Sequence, residues 1–123
     1  MSNYVGFEEL RGETLTEVIV NGERDEIVFK CVSGNSYLMY HSQDCCESVS
    51  IHEIVGGELS ELIGEEIILA EKVSSDSNIN ESNYGSDEEW TFYKLSTMNT
   101  SITISWFGQG NGYYSLDVSF RRI

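Results

Sequence analysis

No proline occurs in this chain, and only 7 of its 123 residues are lysine or arginine. Without proline, turns must come from glycine, asparagine, aspartate and serine. Against the 7 bases stand 21 acids, a formal charge of −14. Binding nucleic acid by neutralising phosphates needs clustered lysine and arginine, so this balance argues against it. It argues equally against an anionic membrane surface. No apolar run approaches the roughly 18 residues of a membrane span. The start, MSNYVGFEELRGE, lacks a basic stretch and an apolar core, so a secretory signal is not expected. These absences point to a cytoplasmic protein. Cysteine is scarce as well. Cys31, Cys45 and Cys46 are expected to be thiols in that compartment, the adjacent pair being strained as a bridge. The acidity has two readings. The plainer is solubility, and the sharper is a negative face that imitates nucleic acid and occupies a DNA-binding partner.

What is present is strongly β. TLTEVIVNGERDEIVFKCVSGNSYLMYHS reads as three strands, separated at Asn21-Gly22 and at Ser33-Gly34-Asn35. Short turns between them make an antiparallel meander. SVSIHEIV adds a strand with Val49 and Ile51 in phase, and IILAEKV adds another. Between these two, Leu59, Leu62 and Ile63 fall at helical spacing, which predicts one short helix ended by Gly64. In WTFYKLST, Trp90, Phe92 and Lys94 share one face, with Thr91, Tyr93 and Leu95 on the other. Ile102, Ile104 and Trp106 share a face, and so do Leu116, Val118 and Phe120. GQGNGYYS reads as a glycine-rich hairpin turn between those strands. Residues 74–89 read as a mobile acidic loop, longer than a compact domain needs. With no repeat or linker, residues 1–123 form a single domain. The fold class is mainly β (α+β): an antiparallel sheet, sandwich or partly open barrel with one short helix.

Two clusters carry candidate chemistry. YHSQDCCESVSIHEI gathers His41, Asp44, Cys45, Cys46 and His52. All are competent metal ligands, but no pair has structural-zinc spacing, so no metal site is expected. A cysteine nucleophile needs a lowered pKa, and Asp44 and Glu47 would raise it. The stretch reads instead as a strand, a turn and a strand, with cysteines packing as small hydrophobes. If it touches a ligand, Tyr40, His41 and Gln43 are the contacts expected.

The second cluster is aromatic. It comprises Trp90, Phe92, Tyr93, Trp106, Phe107, Tyr113 and Tyr114, and because adjacent aromatics in a strand face opposite sides, both sheet faces carry rings. Core packing is the commoner use. Surplus rings beside Gln109 and Asn111 would also suit a flat base or sugar. Lys94, Arg121 and Arg122 are scarce bases in these same strands, suited to phosphate, although a solvated edge is the more usual role.

Several stretches taken together, YHSQDCCESVSI, EIVGGELSELIGEEI, EEWTFYKLST, SITISWFG and NGYYS, resemble a family of small, uncharacterised, mostly phage-encoded proteins. The resemblance covers about residues 10 to 118. It brings no assigned reaction and no catalytic residues. What it implies is a setting: small phage proteins without catalytic signatures often antagonise host defence in the host cytoplasm. Some sequester nucleotide-derived immune signals, usually as oligomers. The resulting expectation is a non-enzymatic sponge that uses no cofactor. Trp90, Tyr93, Trp106 and Tyr113 would stack on the base, Lys94 or Arg121 would meet phosphate, and Asn111 and His41 would supply hydrogen bonds. The alternative is an acidic protein that inhibits a host defence protein by direct binding.

Overall fold

The computed structural model describes residues 4–42, 46–75, 87–110 and 116–123. Within them the chain forms β1 (Leu15–Val20), β2 (Glu26–Cys31), β3 (Ser36–Tyr40), β4 (Ser48–Val55), β5 (Leu69–Ser75), β6 (Asp87–Ser96), β7 (Ser101–Gly110) and β8 (Ser119–Arg122). Two antiparallel sheets result, ordered β1-β2-β3-β8 and β4-β7-β6-β5. They stack with their inner faces together, so the fold is a sandwich.

The predicted meander β1-β2-β3 is present. Its first turn is held by Asn21, whose Oδ1 accepts the backbone N–H groups of Asp25 and Glu26 at 2.9 and 3.1 Å. Its second is pinned by Glu13, whose carboxylate accepts from Ser33, Asn35 and Tyr37 at 2.8, 3.0 and 3.3 Å. Those hydrogen bonds, Asn35's first, favour the anion and hold the Glu13 pKa below its ordinary value, against some desolvation.

Alternation decides what is buried. Ile27, Phe29, Tyr37, Met39, Val118 and Phe120 from one sheet meet Val49, Ile51, Tyr93, Leu95, Ile102, Ile104 and Trp106 from the other. The Trp106 indole N–H, which needs a partner when buried, points at the Met39 sulfur at 3.1 Å. Phe7 closes one flank, its ring edge-on to Tyr93 at 4.8 Å and to Phe120 at 5.3 Å.

Four expectations need correcting. The predicted helix is a single 3-10 turn, Leu59–Leu62, and no α-helix occurs among the described residues. A 3-10 turn sets residues three apart above each other, so Leu59 and Leu62 are buried while Ile63 stays exposed. The glycine-rich hairpin is not one at its start, because Gly108 and Gln109 are strand residues paired with both β4 and β6, and Gly110 pairs with β6. A Cβ on Gly108 would sit 2.9 Å from Leu116 Cβ, so the glycine is what lets the following segment pack over β7. β8 belongs to the other sheet, where it pairs with β3. Both ends of the predicted loop 74–89 are strand: Ser75 pairs with Trp90, and Asp87 to Glu89 pair with Gly110 to Gly108. Residues 76–86 lie outside the described residues. Finally, Cys46 is not a thiol.

Candidate functional site

Cys46 is exposed and disulfide-bonded, with its bonding partner outside the described residues. The expectation of free, inward-packing cysteines therefore holds for Cys31, a buried free thiol, and fails for Cys46, while Cys45 lies outside the described residues. Burial, and secondarily the Glu13 charge, push the Cys31 thiol up to about 11. It is a poor nucleophile at neutral pH.

The residue that packs inward here is Glu47. Its carboxylate is fully buried and lies 2.8 Å from Nε2 of His41, whose side chain is only 4% exposed. Nδ1 of the same ring is 2.7 Å from the Asp117 carbonyl oxygen. A carbonyl only accepts, so Nδ1 carries a proton and donates it. The remaining proton lies between Nε2 and Glu47. His41 follows β3, Glu47 precedes β4 and Asp117 precedes β8, so one ring ties together the passages between the two sheets. Its atoms are spent on that clamp, which leaves it poorly placed to contact a ligand. The clamp was legible in part: Glu47, Val49 and Ile51 alternate inward, but the charge on Glu47 hid the phase.

The remaining candidates separate cleanly. Tyr93 and Trp106 are 2% and 1% exposed and fill the core, so neither presents a ring to a ligand. Gln43, Asn111 and Tyr113 lie outside the described residues. Tyr40 and Arg121 come together on the outer face of the first sheet. Trp90 and Lys94 lie on the outer face of the second, as their alternation predicts. The sandwich core stands between the two pairs, so no single pocket within one chain uses both.

On the first face, the Arg121 guanidinium stacks over the Tyr40 ring, its carbon 5.5 Å from the centroid. Tyr40 and Tyr4 bring their hydroxyls to 3.3 Å, and Tyr4 pairs with Arg121 as an isolated bridge. The bond to Tyr4 and burial raise the Tyr40 pKa, keeping its hydroxyl a donor. Arg121 Nε is buried without a hydrogen-bond partner. Among the described residues, no carboxylate comes within ion-pairing distance of Arg121. Among the described residues, what sets Arg121 apart from the other bases is its place on a ring with its Nε buried and unpartnered. Tyr4 was not anticipated. Only the pairing of β8 with β3 brings it here.

On the second face, Trp90, Phe92 and Phe107 pack as a ring cluster. Trp90 stacks on Phe92 at 6.3 Å and tilts against Phe107 at 4.7 Å. The ladder irregularity between Ile51 and Glu53 leaves both His52 and Glu53 outside, and His52 sets its ring edge-on to Trp90 at 4.9 Å. A third feature is a shallow cavity of about 350 Å³ lined by Val20, Arg24, Ile54, Gly57, Glu58 and Leu59. Among the described residues no three His, Cys, Asp or Glu side chains converge as metal ligands, and no helix is long and apolar enough to cross a membrane.

The sequence matches a family described as a domain of unknown function, DUF7448, over residues 8–120. The chain belongs to that family. No curated protein and no solved structure matches it.

Proposed function

We propose that this protein is a non-catalytic binding protein that captures a small anionic ligand at Tyr4, Tyr40 and Arg121. The observation that carries this reading is Arg121: a cation held flat on a ring, with one N–H unsatisfied and, among the described residues, no acid in ion-pairing reach. Guanidinium offers a planar fork of donors that suits phosphate or carboxylate, and the linked hydroxyls of Tyr40 and Tyr4 add polar surface beside it. Nothing in the cluster is a nucleophile or a general base, so the ligand is held and not turned over. The resemblance to phage-encoded proteins suggests the setting, capture of a nucleotide-derived immune signal in an infected cell.

The test is incubation of the purified chain with a mixed panel of linear and cyclic nucleotides, removal of free ligand, and mass spectrometry before and after denaturation. A retained nucleotide, recovered intact and lost in Arg121→Ala, supports the reading. No retention, or retention equal in Arg121→Ala, sinks it.

A further inference from the structure

The ring cluster on the second sheet has different chemistry from the Arg121 site. Along the ladder, Trp90 faces Phe107, Phe92 faces both Val73 and Ser105, and Lys94 faces Glu71. Ser105 points outward yet is only 6% exposed, because it sits between Phe92 and Glu53 on the ladder. Trp90, Phe92 and Phe107 are half-buried, and His52 and Val73 are exposed. The outer register places Glu88 beside Gln109 above the rings, Glu53 on one side and Glu71 below, all three exposed. Lys94 is the one cation there among the described residues, and Glu71 stands opposite it.

Rings carry negative charge on their faces, and carboxylates at their rim add to that field. We infer that this face docks a basic segment of a partner protein, seating an arginine or lysine on Trp90 with Phe107 and His52 beside it. Charge settles the occupant among the alternatives. A second copy would bring its own carboxylates and a charge of −14 against the same acids. A phosphate-bearing ligand would meet Glu53, Glu71 and Glu88 with Lys94 alone to offset them. Tryptophan and phenylalanine clusters of this kind are also the side chains that dominate protein interfaces. The inference is independent of the Arg121 site, which lies on the opposite face.

The test uses the full chain and a short alternating Arg-Ser peptide as probe, followed by calorimetry and by Trp90 emission. Trp90→Ala and Phe107→Ala are expected to weaken binding about tenfold, the scale of a desolvated cation–π contact. The triple change Glu53→Gln, Glu71→Gln, Glu88→Gln, which leaves every ring in place, is expected to do the same. Neutralising Glu17 and Glu26, which are exposed on β1 and β2 of the other sheet, should cost no more than about twofold, since remote exposed charges are screened. Equal losses from the two sets, with Trp90→Ala neutral, overturn the inference and leave only diffuse charge. Self-association of the wild type that Trp90→Ala abolishes overturns it in favour of a second copy. Trp90 emission that responds to a free nucleotide and not to the peptide overturns it as well.

Discussion

The two outer faces of this sandwich share a backbone plan and differ in what they leave unpaired. On the first sheet, Arg121 lies outside ion-pairing reach of every acid among the described residues, beside two hydroxyls. On the second, rings stand among acids, and the lone lysine already faces Glu71. One face therefore favours an anion and the other a cation, although each is built from the same alternation of strand residues. Net charge alone would have assigned both faces to cationic partners. The comparison shows that selectivity lies in local pairing, since a charge of −14 spread over the surface is largely screened beyond about 8 Å at physiological salt.

The comparison breaks most completely if the shared interior is removed. Trp106→Ala should destabilise the fold by about 3–5 kcal/mol and abolish binding at both faces together, as read by urea denaturation and calorimetry. His41→Ala should cost about 3 kcal/mol or more, because it withdraws a partner from the buried Glu47 carboxylate. If that variant melts like the wild type, the clamp between the sheets is not structural. Next comes separation of the faces. Arg121→Ala should weaken retention of an anionic ligand tenfold or more, the loss of about 1.5–3 kcal/mol in a charge-assisted contact, and leave Arg-Ser peptide binding unchanged.

The smallest effect concerns acid. Glu13 binds its proton less readily folded than unfolded, so its contribution is present above about pH 4.5 and is lost as pH falls. Glu13→Gln should flatten the fall in melting temperature below that pH, and an unchanged slope would mean that other carboxylates dominate.

Much of the fold was readable, because alternation is local. The Trp90-Phe92-Lys94 face, the opposed Tyr93-Leu95 face and the Ile102-Ile104-Trp106 face are all as their spacing implies. Alternation does not say which face points inward, and that is where the ring contacts went astray. Trp106 shares its side with two isoleucines, a signal for the core that outweighs its aptitude for stacking. The pairing of β8 with β3 is non-local, so the meeting of Tyr4, Tyr40 and Arg121 was not legible as a unit. Glu47 was missed for another reason: an acid in an inward phase needs a buried partner, and His41 supplies it six residues earlier.

The account's central claim is that Arg121 on Tyr40 is the contact for a small anion. The direct measurement is calorimetric titration of a nucleotide retained by the wild-type chain into three proteins: wild type, Arg121→Ala and Trp90→Ala. The account predicts affinity lost in Arg121→Ala and kept in Trp90→Ala. Affinity kept in Arg121→Ala and lost in Trp90→Ala would contradict it and move the anion site to the other face.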